Sequence, residues 1–363
     1  MPECYIGLMS GTSLDGVDAV IAAARGDGLR FIAHAYLAYP HSLRKRLLAL
    51  HGPARDELHR AALIANELAA TYAKALKTLL ARSRVRAGEV AAVGCHGQTI
   101  RHRPDAGYTT QLVNGALLAE LTGITAVCDF RSRDIAAGGE GAPLAPAFHE
   151  ARFRSRSRNR AIVNIGGIAN ITCLPAHGAV TGFDCGPGNV LLDAWIGEKR
   201  GAAFDVDGKW AASGRIDPRL LQKLLSHPFI RRRPPKSTGR GEFNLAWVKR
   251  SLAGTERAPD VQATLLELTA TTIARALRGC RPRPDEVYLC GGGARNGALL
   301  ARVASLLPDR TVRTIDALGV AAEHVEALAF AWLARQALEG KPGNIPAVTG
   351  ARGPRVLGAI YRA

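Results

Sequence analysis

Gly7-Leu8-Met9-Ser10-Gly11-Thr12-Ser13-Leu14-Asp15-Gly16-Val17-Asp18 is the stretch whose reading decides the fold. An apolar run, Tyr5 to Met9, leads into its polar centre, and a second, Asp18 to Ala23, leaves it. Two short apolar runs around a Gly/Ser/Asp turn predict a strand, a polar turn and a strand. The tip of this hairpin carries Gly11 and Gly16, the hydroxyls of Thr12 and Ser13 and the carboxylate of Asp15, with Asp18 just beyond. Glycine lets a backbone approach an anion with no Cβ in the way, and such hydroxyls and carboxylates can bond phosphate oxygens or hold Mg²⁺ through water.

The same grammar recurs along the chain. Val90 to Cys95 reads as a buried strand ending at His96-Gly97-Gln98-Thr99. Strands at Ala161 to Ile165, Ile168 to Leu174 and Ala179 to Phe183 lead to Asp184-Cys185-Gly186-Pro187-Gly188-Asn189, which opens a helix to about Arg200. Val287 to Cys290 runs into Gly291-Gly292-Gly293-Ala294-Arg295-Asn296 and a helix from Gly297. Ala/Leu-rich segments at Leu43 to Leu50, Arg60 to Leu80, Ala116 to Leu121 and Ala321 to about Leu338 have helical spacing, Thr125 to Phe130 reads as a strand, and Arg131 to Pro146 reads as a Gly-rich loop. Three Gly-rich turns at strand ends, two of them opening helices whose N-termini attract negative charge, predict a phosphate-binding cleft in a duplicated α/β architecture.

Bulk properties narrow the class. With 363 residues, 47% of them hydrophobic, the chain can bury one large core or two medium ones. The formal charge of +17 raises polyanions as partners. Its arginines are scattered, however, with no aromatic-interleaved stripe, so no nucleic-acid partner is expected and the positive field suits a nucleotide and an acidic small molecule. Seven cysteines (Cys4, Cys95, Cys128, Cys173, Cys185, Cys280, Cys290) without a C-x-x-C pair fit reduced thiols packed as small hydrophobes. With no signal peptide and no membrane-length apolar run, a soluble, cytoplasmic protein is expected. A P-loop and a dinucleotide fingerprint are missing, and Gly11 to Gly16 has the wrong spacing and context for a nucleophile elbow.

These blocks, together with Asp129-Phe130-Arg131 and Asp134, Ala136-Ala137-Gly138-Gly139, Asn164-Ile165-Gly166-Gly167-Ile168-Ala169-Asn170 and Pro235-Lys236-Ser237-Thr238-Gly239-Arg240, stand in an order and spacing that resembles the anhydro-N-acetylmuramic acid kinases over nearly the whole chain. The resemblance implies an α/β, two-lobed actin-like ATPase (hexokinase-type, ribonuclease-H-like) fold with mixed sheets flanked by helices. Residues 1–130 form lobe one, joined by a C-terminal helix at about 340–363, and residues 131–340 form lobe two. It implies ATP with Mg²⁺, held in the cleft by turns from both lobes, a homodimer, and a reaction of 1,6-anhydro-N-acetylmuramic acid, ATP and water that gives N-acetylmuramic acid 6-phosphate and ADP in peptidoglycan recycling.

By the same resemblance Gly11, Thr12, Ser13, Leu14, Asp15, Gly16, Val17 and Asp18 form the ATP phosphate hairpin, Gly186, Gly188 and Asn189 its counterpart in lobe two, and Gly291, Gly292 and Gly293 lie near the adenosine. Asp184 matches the base that takes a proton from water; a carboxylate beside anionic ATP is less acidic than free Asp, which suits that task. Arg131 is the candidate for the substrate's lactyl carboxylate, since a guanidinium grips a carboxylate with two hydrogen bonds. Asp134 and Glu326 are expected to accept sugar hydroxyls and His96 to lie near the substrate, with no residue assigned as a direct metal ligand. Lys236, Ser237 and Arg240 read as a structural or lid-like loop. Cys185, Glu140 and Gly241 depart from the family's usual Thr, Gln and acidic residue. Two other enzyme readings stay open on this fold, a kinase for another amino sugar and an actin-like ATPase without a sugar substrate.

Overall fold

The structure, a computed structural model, describes residues 3–11, 14–26, 28–53, 55–234, 236–238 and 241–363. The chain divides into two compact units, Met1–Arg152 with His324–Ala363, and Phe153–Glu323. Unit one opens on the hairpin: β1 (Cys4–Met9) runs antiparallel to β2 (Gly16–Arg25), with Met9 opposite Asp18, and β2 continues antiparallel to β3 (Gly28–Ala38). β4 (Val90–Cys95) lies parallel to β1 on its other side. A small hairpin of β5 (Gln98–Arg103) and β6 (Tyr108–Leu112) follows, and β7 (Ala126–Cys128) adds parallel to β4.

Unit two repeats this plan. β8 (Arg160–Ile165), β9 (Ile168–Leu174) and β10 (Thr181–Pro187) form an antiparallel run, and β11 (Glu286–Cys290) and β12 (Thr311–Thr314) extend it in parallel from β8. The last strand, β13 (Ala359–Tyr361), pairs antiparallel with β7. The sheet orders, β13-β7-β4-β1-β2-β3 and β10-β9-β8-β11-β12, therefore contain the same unit twice: three antiparallel strands, then two parallel ones. That duplicated mixed sheet agrees with the α/β fold expected from the sequence.

Alternation along the strands explains the layers of unit one. Ile6 and Leu8 of β1 and Val17, Ala19 and Ile21 of β2 share a core with Ile64, Leu68 and Tyr72 of the helix Glu57–Ser83, all at most 2% exposed. Each such large side chain contributes on the order of 1.5–3 kcal/mol by leaving water. Gly7 of β1 and Gly94 of β4 instead meet the helix Val325–Leu338. A Cβ at Gly7 would overlap the Ala327 carbonyl oxygen, and one at Gly94 would overlap that of Phe330, so two strands and a helix touch backbone to backbone.

This contact accounts for one difference from expectation. The segments 131–152 and 324–340, expected in lobe two, belong to unit one: the alanine-rich helix buries itself on the first sheet, and Arg131 and Asp134 bond His96, Asn344 and Thr349. A second correction concerns the C-terminal segment 340–363, which is not a helix. Gly340, Pro342, Gly343, Pro346, Gly350, Gly353, Pro354 and Gly358 interrupt it, leaving one short turn at Pro346–Thr349 before β13. The loop expected at Arg131 to Pro146 holds a short helix, Ser132–Ala136, and the start of another, Ala145–Phe153. Two of the seven cysteines, Cys173 on β9 and Cys280 at the end of the helix Ala258–Gly279, are brought face to face by the fold, their Cα atoms 6.5 Å apart although 107 residues separate them.

Candidate functional site

In unit one the polar groups gather at the end of the hairpin. Ser10, 1% exposed, donates its hydroxyl to Gln98 Oε1 (2.5 Å) and accepts from the Tyr39 hydroxyl (2.6 Å). Tyr72 then donates to Tyr39 (3.1 Å), since the proton of Tyr39 is already used. Gln98, fully buried, donates its amide to the Gly11 carbonyl (3.1 Å), so the turn's first residues are held from beneath. Burial pushes the Tyr39 hydroxyl up to about 12 and also raises that of Tyr72 well above its ordinary value, which keeps both as neutral donors. Sequence reasoning missed Tyr39 and Tyr72, whose partners lie 29 and 33 residues away, and it quoted Gln98 without giving it a role.

The hairpin itself separates into exposed and buried parts. Leu14, at φ +57°, and Val17 bury their side chains in the core, so only their backbone can face a ligand. Asp15 is exposed, and its carbonyl accepts from the Tyr39 amide (2.9 Å) and the Tyr36 hydroxyl (3.0 Å). Asp18, half-buried, pairs with His34 at 2.9 Å. Thr12 and Ser13 lie outside the described residues.

His96 directly follows β4 and is 5% exposed. Its Nδ1 lies 3.1 Å from the Ser10 carbonyl and its Nε2 2.9 Å from an Arg131 terminal nitrogen. Arginine can only donate, so Nε2 accepts and the proton sits on Nδ1. Burial, then the Arg131 charge, push this imidazole down to about 3. Arg131 also donates to the Gly141 carbonyl (2.8 Å). Burial lowers its guanidinium to about 10, with Glu326 and then Asp134 acting in the opposite direction. Glu326 stands half-buried in the first turn of the helix Val325–Leu338, whose Phe330 ring packs on His96 at 4.9 Å.

Asp134, expected to accept sugar hydroxyls, is fully buried and already engaged: Oδ1 accepts from Asn344 (2.6 Å) and Thr349 (2.7 Å), and Oδ2 from the Gly141 amide (2.8 Å). It therefore anchors the C-terminal segment and the loop that holds Arg131. Asp134→Ala, which strands three buried donors, is expected to cost about 3 kcal/mol or more, read as a fall in the urea midpoint.

In unit two, Asp184 sits at a bulge of β10, where the register with β9 shifts between Asp184 and Gly186. Its Oδ2 accepts from the Thr238 amide (2.9 Å) and the Ser237 hydroxyl (3.2 Å). Burial raises the carboxyl to about 6, against the lowering effects of Thr238, Ser237 and Lys236. The loop read as structural or lid-like supports the carboxylate directly: Ser237 and Thr238 hold it, while Lys236 donates to the carbonyls of Phe229 (3.2 Å) and Ile230 (3.4 Å), and Arg240 lies outside the described residues. The Cys185 side chain is buried, its thiol pushed well up by desolvation.

The glycine turns of unit two pack on one another. The amides of Gly188, Asn189 and Val190 donate to the carbonyls of Gly167 (2.9 Å), Gly166 (2.8 Å) and Gly167 (3.1 Å). The amides of Gly188 and Asn189, two residues expected beside the ATP phosphates, are thus bonded inside the fold. The Asn189 side chain bonds the Ile165 carbonyl (3.3 Å) and reaches toward Gly292 and Gly293, so 165–167, 186–190 and 291–293 form one cluster at the ends of β8, β10 and β11.

The family described as "Anhydro-N-acetylmuramic acid kinase" matches residues 3–363. The protein of that name from Nitrosomonas europaea is 55% identical over 361 residues, covering 99% of each chain. That from Nitrosospira multiformis is 57% identical over 361 residues, also covering 99% of each. A solved structure titled as a ROK family glucokinase from Streptomyces griseus in complex with glucose and AMPPNP covers 92% of this chain and 99% of that one, at 14% identity and a TM-score of 0.43.

Proposed function

The chain belongs to the anhydro-N-acetylmuramic acid kinase family, and from that premise we infer that it converts 1,6-anhydro-N-acetylmuramic acid, ATP and water to N-acetylmuramic acid 6-phosphate and ADP in peptidoglycan recycling. The observation that carries the mechanism is the Asp184 carboxyl, raised to about 6 and held on one oxygen by Thr238 and Ser237. Among the described residues its other oxygen, Oδ1, has no hydrogen-bond donor, which leaves it for a water.

Asp184 takes one proton from that water as the water oxygen bonds to C1 of the sugar. The C1–O6 bond breaks with its electron pair going to O6, and O6 takes the γ-phosphoryl group while ADP leaves. The proton on Asp184 returns to solvent. A carboxyl near 6 is largely ionised at neutral pH yet more basic than an ordinary aspartate, the compromise that general-base catalysis requires.

Arg131 grips the lactyl carboxylate in this reading, oriented by His96 and the Gly141 carbonyl, and Glu326 accepts a sugar hydroxyl. Ser10, Gln98 and Tyr39 set the Gly11 turn of the phosphate hairpin, so that backbone groups and not the Leu14 or Val17 side chains meet the nucleotide. Among the described residues no group of three or more His, Cys, Asp or Glu is placed to hold a metal. Mg²⁺ needs no such cage: one or two carboxylates with substrate phosphates suffice, and Asp15 and Asp18 are the candidates here. When bound, Mg²⁺ neutralises charge developing on the transferring phosphoryl group.

No described helix is long and apolar enough to cross a membrane. Residence in the cytoplasm and assembly as a homodimer form part of the proposal, on the family's pattern. Incubation with the anhydro sugar and MgATP is expected to give a product heavier by one water and one phosphoryl group, with one ADP per product, by mass spectrometry. Turnover of a free hexosamine in place of the anhydro sugar would overturn the substrate assignment.

A further inference from the structure

One buried side chain touches both ligand-facing parts of unit one, and the reaction scheme leaves it without a chemical step. On one ring nitrogen His96 bonds the carbonyl of Ser10, which opens the phosphate turn; on the other it bonds Arg131, the proposed carboxylate grip. Resting on the function proposed above, we propose that His96 is a positioning residue that couples the nucleotide hairpin to the sugar-binding arginine, so that each ligand tightens the other.

The geometry gives the coupling a direction. Ser10 has few alternatives, because its hydroxyl is fixed by Gln98 and Tyr39, and Gln98 in turn fixes the Gly11 carbonyl. A nucleotide that orders this turn holds the Ser10 carbonyl in place, and with it the Nδ1–H of His96. The ring cannot swivel freely, since it is buried and packs on Phe330 at 4.9 Å. Nε2 then presents one acceptor to Arg131, whose Nε also lies 3.4 Å away, while the Gly141 carbonyl takes another N–H of the guanidinium at 2.8 Å. Two edges are thus fixed before the sugar carboxylate arrives, and preordering of this kind reduces the entropy that the second ligand must lose. Burial and the neighbouring arginine keep the imidazole neutral throughout the working pH range, so the tautomer that makes both bonds persists.

The test is calorimetric titration of the full chain with the anhydro sugar, with and without a non-hydrolysable MgATP analogue, and the reverse titration. The parent is expected to show a coupling factor of about fivefold or more, equal in the two directions. His96→Asn places an amide near the Nδ1 position and keeps the Ser10 bond; His96→Gln reaches the Nε2 position and keeps the Arg131 bond. Both are expected to bring the factor to within about twofold of one, because coupling needs both bonds at once. A merely structural role would weaken binding or lower the melting temperature and leave the factor intact. A parent factor of one, or a factor retained in both variants, overturns the inference while turnover of the anhydro sugar leaves the function standing. A parent that neither binds nor turns over the sugar overturns both.

Discussion

Asp184→Asn is expected to lower kcat by about a thousandfold or more, with sugar and nucleotide affinities within about threefold of the parent's. The amide is nearly isosteric, and its oxygen can still accept from the Thr238 amide and the Ser237 hydroxyl, so the bulge of β10 should hold its shape. What it loses is the capacity to take a proton. A thousandfold corresponds to about 4 kcal/mol of transition-state stabilisation, within the range assigned to general acid–base catalysis. Stopped-time assays of ADP release at saturating sugar read this directly. Turnover within about tenfold of the parent, a loss below about 1.4 kcal/mol, would remove Asp184 from the base's role.

Gly94→Ala is expected to be strongly destabilising although it adds a single methyl group. The new Cβ would overlap the Phe330 carbonyl oxygen and lie 2.8 Å from its carbon, both backbone atoms of a helix that also touches Gly7. Neither can step aside alone, so the helix Val325–Leu338 must lift from β1 and β4 together, carrying Glu326 and Phe330 with it. Overpacking of this kind costs about 3 kcal/mol or more where backbone meets backbone, a large share of the roughly 5–15 kcal/mol that holds a protein folded. Gly88→Ala serves as the comparison, since a Cβ there meets nothing within 4 Å. Urea unfolding should show a marked fall in midpoint for the first and almost none for the second; equal midpoints would contradict the packing described.

The parts of this molecule that were legible in the chain are those with local causes. The hairpin around Gly11, the strand Val90–Cys95, the strand Ile168–Leu174 and the helix from Gly297 each combine an apolar run with a turn or cap signal inside a few residues. β3 was not anticipated, because Arg30 and His34 break its apolar pattern although the strand pairs with β2 along its length. β13 is three exposed residues whose only reason to be a strand is the free edge of β7, 231 or more positions earlier in the pairing. The close seat of the helix Val325–Leu338 on Gly7 and Gly94 joins residues from opposite ends of the chain, and neither glycine lies in a turn that would announce it.

The candidate site divides along the same line. Gly-rich turns and the aspartate beside them are visible as clusters of residue types, whereas what holds them is not. Tyr39 and Tyr72 carry no local signal for their bonds to the hairpin. Ser237 and Thr238 sit in a basic loop 53 and 54 residues from the carboxylate they support. Asp134 shows the converse: its residue type suits a sugar hydroxyl, and nothing local announces that Asn344 and Thr349, 210 and 215 residues later, bond its oxygen.

The most direct test of the account is an NMR titration of the Asp184 side-chain carboxyl in the ligand-free protein, with ¹³C-labelled aspartate and the signal assigned by its loss in Asp184→Asn. Burial should place the midpoint near 6, so that the group gains its proton well before ordinary aspartates as pH falls. A midpoint near the ordinary value of 3.8 would show a solvated carboxylate and contradict the base assigned here.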